Sequence, residues 1–246
     1  MSTRRRKAIG LLCAIVAGAT PACAPTIAPP APTIDESHAA PADTRITLFP
    51  HVVFDPAAGT LEVDAHVCLR RGILEYAAVA EGGKTYESLL VLPCRPSHLH
   101  TALLLAGCRP GDVGPHARGD APPATAPAEP GTLVRLEVSI GSPAEAVPIE
   151  RFLIDRRTGQ SPDPLRWVFT GSFFHRDQPD SPEYFIADVE RSLIALWYDA
   201  TALLNITRDV GNPYRGPVGL EVNTPMLPPP ETPVRLRIIP VPAEPG

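Results

Sequence analysis

A carboxylate and an imidazole are the two side chains in this sequence whose types and positions favour acid–base chemistry: Glu87 and His100. A glutamate that holds a histidine by a hydrogen bond can orient it as a general base. The same contact also occurs as an ordinary polar pair between a strand and the start of a helix, and no accompanying nucleophile is identifiable. We therefore interpret Glu87 and His100 as a candidate ligand-binding pair. The alternative is a hydrolase or a metal-dependent enzyme that uses both residues.

Two further groups are of the types used in metal binding and in nucleophilic catalysis. Cys94, His98, His100 and Cys108 could together bind zinc, but two histidines placed two positions apart on a helix point roughly 200° from each other. The spacing from Cys94 to His98 is also not that of a closed zinc site. Ser172 follows a glycine but lacks the Gly-x-Ser-x-Gly frame of a nucleophilic serine. The sequence thus predicts no catalytic residue, no metal site and no bound cofactor.

The stretch Glu81-Gly-Gly-Lys-Thr85 contains Gly-Lys-Thr, the three residues that close a phosphate-binding loop. Such a loop has a further glycine five residues earlier, where this chain has Ala78, and a helix follows it. The residues that follow here are instead suited to a strand. The Gly-Gly pair therefore predicts a two-residue hairpin turn that joins strands at 73–80 and 85–92.

The length of this turn decides where Glu75 and Glu87 lie. With two residues in the turn, the register places the two glutamates on opposite faces of the hairpin, so that they do not form a carboxylate pair. A three-residue loop would reverse this. The exclusion of a carboxylate pair is therefore conditional on the turn.

The N-terminus has the organisation of an export signal. A basic stretch at 4–7 precedes an apolar stretch at 8–19, which is too short to cross a bilayer as a single helix. We predict that residues 1–22 are a signal peptide and that the mature protein lies in the cell envelope or periplasm.

A lipid anchor is predicted directly after this signal. Residues 20–23 resemble a bacterial lipobox in the small Ala22 and in Cys23, which implies lipidation of Cys23. The alternative is an ordinary secreted, soluble protein. Residues 23–43 are rich in proline and alanine and predict a spacer that holds the domain away from the membrane.

Export also changes the net charge of the chain, which is −5 with the signal included. The signal holds four of the 22 basic residues and no acidic one, so the mature chain has 18 basic against 27 acidic residues and a net charge of −9. An acidic, exported domain is a poor candidate for nucleic-acid binding, and this class of partner is excluded. The expected partners are the membrane, through the lipid anchor, and an envelope protein or a redox partner.

Three cysteines follow Cys23 in the mature chain: Cys68, Cys94 and Cys108. In an oxidising compartment two of them could pair. The segment between Cys94 and Cys108 is predicted to be a helix about 13 Å long, whereas disulfide-linked Cα atoms lie roughly 4.4–6.8 Å apart. Pairing of Cys68 with either partner, or no bridge at all, is therefore favoured.

Residues 44–246 are predicted to form one domain, with a Pro-rich loop at 109–131. Residues 61–69 alternate apolar and polar side chains, as a half-buried strand does, and form a hairpin with 45–54. Residues 97–107 have a capping serine, a terminal glycine and apolar side chains at helical spacing. Further strands are predicted at 133–140, 150–155, 167–174, 183–188, 192–198 and 234–239. This pattern favours an α+β fold of mostly antiparallel strands in two layers, with one principal helix.

Six segments of this domain stand in an informative order and spacing: 64–75 (DAHVCLRRGILE), 86–90 (YESLL), 100–107 (HTALLLAG), 167–172 (WVFTGS), 184–188 (YFIAD) and 228–240. In combination they resemble bacterial proteins of the YdjY-domain family over about residues 45–240. That family is largely uncharacterised, so the resemblance implies a shared fold and an envelope setting more than an activity. Glu87, His100, Trp167 and Ser172 match it.

The chain also departs from features that some YdjY proteins have. Some members carry an iron–sulfur module, but this chain has no closely spaced run of four cysteines to hold such a cluster. In many members a histidine precedes the Glu-Ser dipeptide. Here that position is Tyr86, which weakens any metal or acid–base role built on that histidine.

Overall fold

The computed structural model describes residues 44–111 and 131–242. The predicted signal peptide, Cys23 and the spacer lie outside these described residues, as does most of the predicted loop 109–131. Within the described part of the chain, no helix is long and apolar enough to cross a membrane.

Strands are the main regular secondary structure of the described residues. In chain order they are β1 (Ile46–Phe49), β2 (Val52–Asp55), β3 (Thr60–Val67), β4 (Ile73–Leu74), β5 (Tyr76–Ala80), β6 (Ser88–Leu92), β7 (Leu133–Ser139), β8 (Val147–Pro148), β9 (Leu153–Asp155), β10 (Trp167–Phe169), β11 (Phe174–His175), β12 (Tyr184–Phe185), β13 (Ser192–Ala195), β14 (Leu204–Ile206), β15 (Leu220–Val222) and β16 (Pro233–Pro240). The two α-helices of this part are α1 (Pro96–Leu105) and α2 (Ile186–Glu190).

The central feature is a closed eight-stranded barrel, and the prediction of a two-layer α+β sheet is wrong. Hydrogen bonds link the strands in the order β3, β16, β7, β10, β14, β13, β5 and β6, and β6 pairs back onto β3 through His66 with Val91 and Val67 with Leu90. Two of the pairings, β5 with β6 and β13 with β14, are parallel, so the sheet is mixed. Alternation shows that a strand buries one face, but it does not show whether the sheet closes on itself.

The hairpin predicted from the alternation of residues 61–69 is confirmed. β2 and β3 pair in antiparallel fashion, from Val52 with Val63 to Asp55 with Thr60. The predicted strand at 45–54 is divided into β1 and β2 by a turn at His51, which has a φ of 65°.

The hairpin predicted around the Gly-Gly pair is wrong, although a turn is present. Gly82 has a φ of 78°, and the Gly83 amide donates to the carbonyl of Ala80 at 2.9 Å. A 3-10 helix at Thr85–Glu87 then follows, and the chain returns so that β6 runs parallel to β5. The expectation of a strand from 85 onward therefore holds only from Ser88.

The predicted helix is present with shifted ends. α1 begins at Pro96 rather than at a capping serine, since Ser97 lies inside its first turn. The Asp188 carboxylate accepts a hydrogen bond from the Ser97 amide at 2.8 Å. Asp188 belongs to α2, a short helix that occupies part of the strand predicted at 183–188.

The remaining strand predictions differ from the structure mainly in length. The predicted strand at 150–155 is a 3-10 helix, Ile149–Phe152, followed by β9. The strand predicted at 167–174 is divided into β10 and the first residue of β11, and the one at 192–198 ends at Ala195. β14 and β15 were not predicted.

The three cysteines of the domain are free thiols, which agrees with the alternative that had no bridge. Burial raises the pKa of Cys94 to about 12 and that of Cys108 to about 11. The Cys68 thiol donates to the carbonyl of Thr85 at 3.0 Å. Thiols held in this protonated form are poor nucleophiles.

Candidate functional site

Glu87 is the last residue of the 3-10 helix that precedes β6, and it is only 7% exposed. Its Oε2 atom accepts a hydrogen bond from the Tyr214 hydroxyl at 3.0 Å, and its Oε1 atom lies 3.9 Å from Lys84 Nζ. A buried carboxylate requires such partners, because leaving it unpaired away from water is costly.

Glu75 joins Glu87 to form a carboxyl pair, which corrects the prediction that the two lie on opposite faces. The parallel register sets Tyr76 beside Ser88, so the preceding residues, Glu75 and Glu87, are neighbours too. The Glu75 amide donates to the Glu87 carbonyl at 2.9 Å, and the charge of Glu87 acts on the Glu75 carboxyl group. The pair arises from parallel strands and not from the three-residue hairpin loop that was the alternative.

The environment of the carboxyl pair raises the pKa of Glu75. Burial is the largest cause, followed by the charge of Glu87 and the hydrogen bond to it. A hydrogen bond from Tyr214 and the positive charge of Lys84 oppose the rise. Two carboxyl groups in contact do not readily ionise together, so the charge of Glu87 favours the protonated form of Glu75.

Lys84 connects the carboxyl pair to a second acidic group. Its ammonium donates to the Tyr76 hydroxyl at 3.1 Å and lies 5.3 Å from the centre of the Tyr76 ring. The Tyr76 hydroxyl in turn donates to Asp199 Oδ2 at 2.8 Å. Burial and the Asp199 charge raise the pKa of Tyr76, so its hydroxyl stays protonated and acts as a donor.

Tyr214 reaches the carboxyl pair from the loop between β14 and β15. Arg156 fixes the backbone of this loop, because its Nη1 atom donates to the carbonyls of Pro213 at 3.1 Å and Val218 at 2.7 Å. The Asn212 side chain accepts from the Tyr214 amide at 2.9 Å. Partial burial of the hydroxyl and the neighbouring glutamates raise the pKa of Tyr214. No signal in the sequence indicates this contact.

A family model for the YdjY domain matches residues 52–239. The chain belongs to the YdjY-domain family. No curated protein and no solved structure matches it. The matched range contains the carboxyl pair, Lys84, Tyr76, Asp199 and Tyr214.

The YdjY domain does not bring His100 together with Glu87. β5, β6 and β10 run in the same direction, as the pairings through β13 and β14 require. Glu87 lies where β6 begins, whereas the His100 ring lies 5.4 Å from the ring of Phe169, at the end of β10. The two predicted ligand-binding residues therefore lie toward opposite ends of the barrel and share no contact among the described residues.

His100 occupies an apolar setting. Its ring centre is 5.2 Å from that of Phe185, and burial lowers the pKa of its imidazole. His98 stacks instead on Phe49, with ring centres 4.5 Å apart. In the described ranges, 44–111 and 131–242, no three His, Cys, Asp or Glu side chains lie together as a metal site requires.

Ser172 is committed to a structural hydrogen bond. Its hydroxyl donates to the carbonyl of Thr201 at 2.8 Å, and its φ of 58° follows the φ of 81° at Gly171. This left-handed turn ends the β10 region and ties it to the segment before β14. The hydroxyl is engaged with a backbone acceptor, whereas a serine nucleophile needs a general base as its partner.

Proposed function

We propose that this protein is an exported, lipid-anchored protein of the cell envelope whose YdjY domain binds a ligand and does not transform it. The lipidated residue in this proposal is Cys23, the ligand-binding carboxyl groups are those of Glu75 and Glu87, and the ring of Tyr214 lies beside them. His100 remains a predicted binding residue, but it lies toward the other end of the barrel and is not part of this site.

One observation carries the binding proposal: the carboxyl pair lies beside an aromatic side chain that the fold leaves in solvent. Tyr214 is 65% exposed although its hydroxyl reaches the buried Glu87. Tyr86, the neighbour of Glu87 in the chain, is 72% exposed. Tyrosine side chains that offer an apolar ring and a polar tip are enriched where proteins recognise ligands.

The charges at this site favour a ligand that carries a positive group. Glu75, Glu87 and Asp199 supply three carboxyl groups, and Lys84 supplies the cation that lies among them. An ammonium or guanidinium group could take the place of a proton on Glu75, whose pKa is raised, because it offers charged hydrogen bonds to both carboxylates. Exposed tyrosine rings can add a cation–π contribution.

The enzyme alternative receives no support from the contacts described above. A general base must come within hydrogen-bond reach of the proton it takes, directly or through one water. Glu87 and His100 lie toward opposite ends of the barrel, and the Ser172 hydroxyl donates to a backbone carbonyl. A binding role therefore explains these contacts without a general base or a nucleophile at the site.

The envelope half of the proposal predicts the chemistry of the mature N-terminus. Mass spectrometry of the protein from the membrane fraction should show a chain that begins at Cys23 and carries a diacylglyceryl group. A Cys23→Ser variant should lose both the lipid and the membrane association. A chain that begins at unmodified Met1 would contradict export.

The binding half predicts saturable binding of small cations. We expect a probe from the set L-arginine, spermidine and choline to raise the Tm of the domain. The effect should strengthen as the pH rises from about 5 to 8, because the raised pKa of Glu75 means that the probe must displace a proton at acidic pH. The Glu75→Gln/Glu87→Gln double variant should bind roughly tenfold or more weakly, since each charged hydrogen bond contributes about 1.5–3 kcal/mol.

A matched variant distinguishes binding at this site from non-specific attraction of cations to an acidic protein. Glu190 is exposed on α2, away from the carboxyl pair, so Glu190→Gln should bind the probe as the wild type does. An equal loss in Glu190→Gln, or no binding of any of the three probes, would refute the proposed ligand class.

A further inference from the structure

Tyr214 covers the very carboxylate that the proposed ligand would need. Glu87 Oε2 accepts a hydrogen bond from the Tyr214 hydroxyl at 3.0 Å. Glu87 has little exposure of its own, so a hydrogen-bond donor from outside would compete with this tyrosine for the same acceptor.

The backbone beneath Tyr214 is held firmly while its ring is not. Arg156 donates to carbonyls on both sides of Tyr214, at Pro213 and at Gly216. The Arg215 amide donates to the Asn212 carbonyl at 2.9 Å, which closes a turn around the tyrosine. The ring itself is mostly in solvent. Its side chain can therefore rotate without movement of the loop, and exposed side chains change rotamer in picoseconds to nanoseconds.

We propose that Tyr214 is an autoinhibitory latch, a side chain that occupies the Glu87 acceptor in the free protein and swings out when a donor from a ligand takes its place. The ligand part of this inference rests on the proposed function, whereas the latch is a property of the free protein. Tyr214 is a positioning residue in this scheme, and Arg156 holds the loop that presents it.

The latch lowers the apparent affinity of the site by the fraction of molecules in which it is open. Removal of the hydroxyl should therefore expose Glu87 and strengthen probe binding. Loss of one hydrogen bond to a carboxylate corresponds to roughly a tenfold change in this equilibrium. A contact that served only the fold would give no such gain.

Carboxyl labelling of the free protein tests the latch directly. Wild type and Tyr214→Phe are treated with a water-soluble carbodiimide and glycine ethyl ester, and the labelling rate of Glu87 is followed by peptide mass spectrometry. We expect Glu87 in Tyr214→Phe to be labelled about five- to tenfold faster. Tyr86→Phe is the matched control, because it removes a hydroxyl from the adjacent exposed tyrosine and should leave the rate unchanged.

Two further carboxyl groups report on the state of the fold in the same experiment. Glu150 is buried and accepts the Leu165 amide at 2.6 Å, so its labelling should stay slow unless the domain opens. Glu190 is exposed and should be labelled at one rate in every variant. Equal Glu87 rates in wild type and Tyr214→Phe, or acceleration of Glu150 along with Glu87, would overturn the latch.

Probe binding separates failure of the latch from failure of the proposed function. Faster Glu87 labelling in Tyr214→Phe without any probe binding would support the latch and refute the ligand class. Probe binding that does not improve in Tyr214→Phe, together with unchanged labelling, would support the ligand class and refute the latch.

Discussion

Replacement of Trp167 by alanine should lower the free energy of unfolding by about 3–5 kcal/mol, the cost typical of a large aromatic side chain removed from a core. Trp167 is fully buried in the first position of β10, inside the barrel. Its indole Nε1 donates to the carbonyl of Ala195 in β13 at 3.0 Å. The alanine variant would leave both a cavity and a buried carbonyl without its donor, and each of these is destabilising.

Urea denaturation followed by circular dichroism measures this free energy of unfolding. Two further variants serve as references for its size. Trp167→Phe keeps much of the ring but loses the donor, so it should cost less than Trp167→Ala. Tyr86→Ala removes an exposed ring and should change stability by about 0.5 kcal/mol or less. A cost for Trp167→Ala as small as that of Tyr86→Ala would show that the barrel interior is not packed around this indole.

Local periodicity was sufficient to predict the elements that bury one face. In β3, the inward side chains at positions 61, 63, 65 and 67 alternate with polar ones, and this strand and its hairpin with β2 were predicted correctly. β16 was also predicted to within a residue at each end. Both strands are long and antiparallel, which is the case in which alternation is clearest.

Parallel pairing was the point at which sequence reasoning failed. β5 (YAAVA) and β6 (SLLVL) are buried at every position, and such continuous apolar runs are typical of strands covered on both faces. The Gly-Gly pair predicts a hairpin, and therefore antiparallel pairing, and this local signal outweighs the weaker indication of parallel strands that the two apolar runs give. The 3-10 helix at Thr85–Glu87 carries the chain back along β5, and this return has no clear signal in the sequence.

The same wrong prediction of a hairpin also explains why the residues of the candidate site were not recognised as neighbours. Glu75 was excluded as a partner of Glu87 because a two-residue hairpin sets them on opposite faces, whereas the parallel register makes them neighbours. Tyr214 lies far along the chain in the loop before β15, and the pairing of β15 with β4, next to Glu75, brings this loop to the carboxyl pair. Sequence reasoning therefore identified one residue of the site, Glu87, and paired it with a histidine toward the opposite end of the barrel.

Replacement of Gly131 by alanine should cost about 2–4 kcal/mol, because this glycine allows two backbone segments to touch. The Gly111 amide donates to the Phe169 carbonyl at 2.7 Å, and the Thr132 amide donates to the Arg109 carbonyl at 2.8 Å. A Cβ atom on Gly131 would lie closer to the Phe169 carbonyl oxygen and to the Gly111 amide nitrogen than real Cβ contacts allow. Neither obstacle is a flexible side chain, so at least the Gly111 hydrogen bond has to break.

The effect of Gly131→Ala can be separated from ordinary glycine strain by a second substitution. Gly59 has a φ of 64° and open space around its Cβ position, so Gly59→Ala should cost only the left-handed conformation, about 1–2 kcal/mol. The two variants should then lose hydrogen-exchange protection at different amides. Gly131→Ala should expose the amide of Gly111, whereas Gly59→Ala should leave it protected. Suppose that both variants lose the same free energy of unfolding and that the Gly111 amide stays protected. The two segments then do not meet at Gly131, and other contacts hold this end of β10, such as the hydrogen bond from the Ser172 hydroxyl to the Thr201 carbonyl.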